Sequence, residues 1–327
     1  MIVRVFRSRY FGQYLALLIF AVLLRIDALL NPEMFAAAGS GFRNEFLASL
    51  DKSFPLIFGL LMLVLLLLQA FILNQVLENN RLVPLNQLLT AALYLTMMSS
   101  AVVLLQPGTM LLINLIMILL INTIFNFYGE QKVRTRAFDA GFLIGVASLL
   151  YFPAIWFLVF LWFSLMIFQS ISFRTLIISF TGVAIPWLFA AFYFLWNDQL
   201  SEAFLKFTNN LLSISAFDFK FDPYIITIWA LFFILFVIGY NEVMKRILSN
   251  AIEIRRKFRV LVFFFIFALI TAFWAGADLK FHLMLTLIPL SAMLSAYLSQ
   301  TKKTLLPELI FALILITIFT GKVINLM

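Results

Sequence analysis

The stretch Phe54-Pro55-Leu56-Ile57-Phe58-Gly59-Leu60-Leu61-Met62-Leu63-Val64-Leu65-Leu66-Leu67-Leu68-Gln69-Ala70-Phe71-Ile72-Leu73-Asn74-Gln75-Val76 carries no charged side chain. A helix needs about 20 apolar residues to cross a hydrocarbon layer about 30 Å thick, and this stretch is long enough. Its neighbours read the same way. Of 327 residues, 64% are hydrophobic and 12% are charged, whereas soluble domains carry about 25% charged residues. A water-soluble fold cannot hide that much apolar surface, so lipid is the expected solvent.

Further apolar runs follow, near Tyr14–Leu24, Leu85–Leu105, Thr109–Phe127, Thr175–Trp196 and Pro223–Tyr240, with more on either side of Asp278 and before Lys322. Tyr151-Phe152-Pro153 breaks the run 137–168 into a short-helix hairpin. The expected fold is all-α: one polytopic transmembrane helix bundle of about eleven spans. The first run also resembles a secretory leader with Ala36-Ala37-Ala38 as its cleavage region. Those small residues lie far past the apolar core, so an uncleaved span is expected.

The charges orient the bundle. Arg4, Arg7 and Arg9 precede the first run, and Lys132, Arg134 and Arg136 follow the fourth. Segment 241–259, rich in Lys and Arg, reads as a basic amphipathic helix on anionic headgroups. Basic loops stay in the cytoplasm, which places the N-terminus there and leaves loops 25–55 and 197–222 on the outer side. Within 197–222, Leu200, Phe204, Phe207 and Leu211 recur at helical spacing, as in a short interfacial helix. The net charge of +8 is therefore an orientation signal, and no nucleic-acid partner is expected.

Several chemistries have no visible machinery. There is no cysteine and one histidine, which excludes disulfides, thiolate nucleophiles and a His-rich metal site. No phosphate-binding glycine loop, dinucleotide fingerprint or nucleophile elbow occurs. Cofactors are not expected. A divalent cation would require Asp27, Asp51, Asp218, Asp222 and Asp278 to converge, and no spacing shows that they do.

Arg25 and Asp27 sit where the first span reaches the outer surface. As chemistry, Asp27 is a catalytic base at the mouth of the bundle. As structure, both side chains reach for the headgroups. Arg25, Arg43, Asp218, Lys220, Lys280 and His282 form the candidate substrate-binding set, the cations among them because a lipid phosphate needs cationic donors. Loop charges at headgroup level need no such role. Asn114, Asn122 and Asn126 share one side of a helix and read as bonds to a neighbouring helix. Gly141 and Gly145 form a close-packing pair.

Leu68-Gln69-Ala70-Phe71-Ile72-Leu73-Asn74, Arg81-Leu82-Val83-Pro84 and the run Phe138 to Pro153 resemble a group of uncharacterised multi-pass inner-membrane proteins of bacteria. The likeness continues through Phe173-Arg174 to Gly182 and Pro186, covering roughly residues 54–196. The layout is also similar to the C-type glycosyltransferase fold, with an acidic residue after span one and a short-helix hairpin ending in an aromatic-Pro turn. That resemblance implies residence in the bacterial inner membrane, Asp27 as base and Arg43 or Lys280 as phosphate contacts. It implies binding or transfer of a polyprenyl-phosphate-linked sugar at the outer leaflet of the cell envelope. The chain departs from the pattern in its short first outer loop, in lacking Asp-x-Asp and in lacking an outer domain. The alternative expectation is a non-enzymatic structural or accessory subunit with protein partners in the membrane; a transporter comes third.

Overall fold

The computed structural model describes residues 2–8, 10–30, 54–100, 109–128, 133–199, 201, 223–247, 251–274, 279–301 and 305–326. Fourteen α-helices follow in order among them: α1 Ile2–Phe6, α2 Phe11–Leu24, α3 Ile26–Leu30, α4 Pro55–Asn79, α5 Leu89–Met98, α6 Thr109–Phe125, α7 Val133–Leu150, α8 Phe157–Ile167, α9 Phe173–Trp196, α10 Pro223–Ile247, α11 Ile252–Thr271, α12 Leu279–His282, α13 Leu287–Gln300 and α14 Leu305–Leu326. Short 3-10 turns join α7 to α8 (Phe152–Trp156), follow α11 (Ala272–Trp274) and lead into α13 (Leu283–Thr286). The described residues contain no strand.

The local signals are conventional. Pro55 opens α4, where a missing N–H costs nothing. Ser172 starts α9 with a capping box: its hydroxyl accepts from the Thr175 amide (3.2 Å), and the Thr175 hydroxyl accepts from the Ser172 amide (2.9 Å). The chain leaves α4 through Arg81 at φ 57°, a left-handed conformation that ends the helix.

At the centre lie α5 and α13. Every residue of α5 is buried, as is every residue of α13 from Leu287 to Leu298. The two are joined by a Thr90–Ser295 hydroxyl bond of 3.0 Å. Helix α4 packs on α5, α6 lies on α4, α7 lies on α6, α9 lies on α7, α10 and α11 cover α13, and α8 rests on α11.

The seam between α7 and α9 is the tightest. A Cβ on Gly182 would meet the Phe138 carbonyl oxygen at 2.5 Å, and one on Gly145 would meet the Val183 oxygen at 2.7 Å and Pro186 Cγ at 2.9 Å. Small residues let two backbones touch, which drives helix association where no hydrophobic effect operates. One indole then bolts the seam, Trp187 Nε1 donating to Ser148 Oγ (2.9 Å), and a second, Trp162 Nε1 of α8, donates to Ser179 Oγ on α9 (3.0 Å).

The expectation of about eleven spans is overturned. Four helical stretches among the described residues are long and apolar enough to cross a bilayer: Pro55–Asn79, Phe173–Trp196, Ile226–Arg246 and Leu283–Gln300. The other apolar runs form shorter helices. The 10 residues of α5 reach about 15 Å, half the hydrocarbon thickness. The 14 of α2 and the 17 of α6 also fall short of it. The error has a physical origin. Hydropathy reports that a run avoids water, but not whether lipid or protein receives it. A helix that is apolar all round can be a core element, and α5 is one. The chain is a multi-pass membrane protein of all-α architecture.

The basic segment 241–259 is not a separate interfacial helix. Its residues 241–247 end α10 and 252–259 open α11, so its described cations lie in the terminal turns of long helices. The expected interfacial helix through Leu200, Phe204, Phe207 and Leu211 falls on residues outside the described set.

Candidate functional site

Two buried polar clusters hold Arg25 and His282. Arg25 lies between α2 and α3 and is 4% exposed. Its Nη2 donates to the Met98 carbonyl at 3.2 Å, and Met98 is the last residue of α5. A helix leaves its last carbonyls without backbone donors, and its C-terminus carries partial negative charge. The Arg25 guanidinium therefore closes the end of α5. Beside it, Tyr94 donates to Gln69 Oε1 (2.9 Å), and Gln69 Nε2 donates to the Leu111 carbonyl (2.7 Å). Asn114 Nδ2 lies 3.9 Å from Met98 Sδ. The cluster ties α4, α5 and α6 together.

His282, at the end of α12, is fully buried. Its Nε2 lies 2.9 Å from the Ala268 carbonyl and 3.0 Å from Thr271 Oγ1, and its Nδ1 lies 2.8 Å from the Tyr151 hydroxyl. A carbonyl oxygen can only accept, so Nε2 carries the proton and Nδ1 accepts from Tyr151. The ring thus closes the last turn of α11 and pins it to the turn that opens at Tyr151.

The same device recurs at the opposite, basic end. Arg7 Nη2 donates to the Leu298 carbonyl (2.6 Å) at the close of α13. Arg256 donates to the Phe168 carbonyl (3.2 Å) at the close of α8 and to Gln169 Oε1 (2.7 Å). Glu308 does the converse, accepting from the Val3 and Arg4 amides (3.2 and 3.1 Å) at the start of α1. Partial burial works against ionising Glu308, but hydrogen bonding outweighs it and holds the carboxyl below its ordinary value. Nearby, the buried Glu78 accepts from Asn74 Nδ2 and the Gln87 amide, both at 3.1 Å, and so shapes the turn after α4.

Asp27 is half-buried in α3. Lys280 lies in α12, its side chain outside the described set; Arg43, Asp218 and Lys220 lie wholly outside it, with Asp51, Asp222 and Asp278. Arg25 serves α5 and His282 serves α11. Among the described residues no three His, Asp or Glu side chains gather as a metal would need. Sequence reasoning missed Tyr94, Gln69, Tyr151 and Thr271. The signal for Gln69 was a carboxamide inside a charge-free run, which lipid would not tolerate without a partner.

A family described as "Family of unknown function (DUF6427)" matches residues 55–327, well over half of the chain. No curated protein and no solved structure matches.

Proposed function

We propose that this chain, which belongs to the DUF6427 family, works as a non-enzymatic accessory subunit of a membrane protein assembly in the bacterial inner membrane. One observation carries the reading: the charged and polar groups in its interior hold helix ends. Arg7, Arg25, Arg256 and His282 each serve a terminal carbonyl of a different helix. Polar groups that line a path or a reaction cleft need free valences facing a cavity. Here Gln69, Tyr94, Glu78 and the Nδ2 of Asn74 bond one another or backbone, while the buried Asn74 Oδ1 and Asn114 Oδ1 accept no bond from the described residues and face no described cavity. Such an interior supports scaffolding over transport. Purification in a mild detergent is expected to bring down partners at fixed stoichiometry, and a solitary monomer would sink the reading.

A second reading, transfer of a polyprenyl-phosphate-linked sugar, draws on Asp27. It is half-buried two residues from a buried guanidinium, beside the undescribed segment 31–53 that holds Arg43. Asp27→Asn separates the two. The subunit reading expects unchanged expression and full complementation of a deletion strain. Loss of complementation at normal expression supports the transferase.

A further inference from the structure

Between α10 and α11 runs an open groove of about 470 Å³. Its α11 wall is the stripe Val262, Phe265, Ile266, Leu269, Ile270 and Phe273, spaced along one face of the helix. Its α10 wall is Phe233, Phe236, Val237 and Tyr240. Phe236 and Phe265, stacked at 3.7 Å, form its floor. From Val262 to Phe273 the groove is about 16 Å long, the depth of one leaflet, half of about 30 Å.

The stripe continues toward the basic end. Seven and three residues before Val262, on the same face, stand Arg255 and Arg259. Most neighbouring cations are engaged: Lys257 with Glu253, Lys245 with Glu242 at 3.0 Å, Arg246 over the Tyr297 ring, and Arg256 on Phe168 and Gln169. Arg255 Nε is buried without an acceptor, and Arg259 is exposed. An apolar trough one leaflet deep, headed by two guanidiniums on its own stripe, matches a molecule with a hydrocarbon chain and an anionic head.

We propose that this groove is a binding site for an anionic phospholipid of the leaflet at the basic end, its acyl chain between α10 and α11 and its phosphate on Arg255 and Arg259. Guanidinium forks suit phosphate oxygens, and apolar burial holds the chain. The proposal stands apart from the accessory-subunit reading, since a solitary monomer still has the groove.

The test uses full-length protein in phosphatidylcholine nanodiscs doped with phosphatidylglycerol, with retained lipid weighed by native mass spectrometry. Wild type is expected to keep phosphatidylglycerol in preference to phosphatidylcholine. The double variant Arg255→Gln/Arg259→Gln should hold it roughly thirtyfold more weakly, about fivefold per lost cation. Arg134→Gln/Arg174→Gln removes the same charge from exposed positions at the same end and should retain wild-type binding. Ile266→Trp fills the trough from an exposed position and should also release the lipid; Ile270→Trp replaces it if that protein does not fold. Indifference of wild type to the headgroup overturns the proposal. So does equal loss in the Arg134/Arg174 control, undiminished binding with the trough filled, or a lipid-free dimer.

Discussion

Helix α9 and the stretch Leu283–Gln300 at the centre both pass for membrane spans, yet they live in different solvents. In Leu283–Gln300, 83% of the residues are buried by protein, against 28% in the most apolar part of Phe173–Trp196. The buried helix carries Ser291, Ala292, Ser295 and Ala296 where neighbours press on it. The peripheral one shows Phe180, Phe189, Phe192 and Trp196 to its surroundings. Small and hydroxylated side chains make helix contacts where lipid offers no competing hydrogen bond. Bulky aromatics cover acyl chains. Hydropathy passes both as spans; side-chain volume tells them apart.

The sharpest way to break this contrast is at the one face of α9 that does meet protein. Gly182→Val drives a side chain into the Phe138 carbonyl and is expected to cost about 3 kcal/mol, seen as a large drop in thermal stability in detergent. Leu188→Ala, on the exposed face of the same helix, should change stability by less than about 0.5 kcal/mol. Comparable losses from both would mean that α9 is packed on both sides. Next comes Arg25→Met, which keeps the bulk and removes the donor from Met98. Leaving a buried carbonyl bare is expected to cost about 2 kcal/mol, read in the same melt. A smaller effect is expected in the centre: Thr90→Val removes the hydroxyl bond to Ser295, and such membrane bonds average about 0.6 kcal/mol.

How much of this is legible from residues alone differs from place to place. The membrane class follows from composition. The α7–α9 seam is legible because Gly141 and Gly145 declare themselves by spacing. The number of spans is not, since Leu89–Met98 looks as apolar as a crossing helix and its burial depends on neighbours that arrive later in the chain. The role of Arg25 is equally hidden. Its partner is a backbone carbonyl 73 residues away, and a carbonyl leaves no trace in sequence. Charges near an apolar run therefore invite a reading as chemistry, while the fold uses this one to end a helix. For Arg43, Asp218 and Lys220 the expectation of a substrate site stands as a proposal.

The smallest expected effect concerns pH. Glu308 lies outside the four spans, and its carboxyl is held below the ordinary value in the folded chain. A depressed carboxylate contributes stability that is complete above its unfolded pKa and is lost as pH falls through the folded one. The Val3 and Arg4 amides should therefore lose protection against hydrogen exchange on acidification, while Ala92, deep in α5, keeps it. Equal loss at both places would mean global unfolding rather than release of α1.

The clasp from Arg7 to Leu298 spans 291 positions of sequence. A ribosome releases Arg7 long before it releases Leu298. Until then the earlier arginine must wait at the bilayer surface, and the last turn of α13 has yet to be made. Nascent chains halted before Leu298 are thus expected to be degraded faster in a pulse-chase than those that extend past it. Synthesis through α13 becomes its own checkpoint.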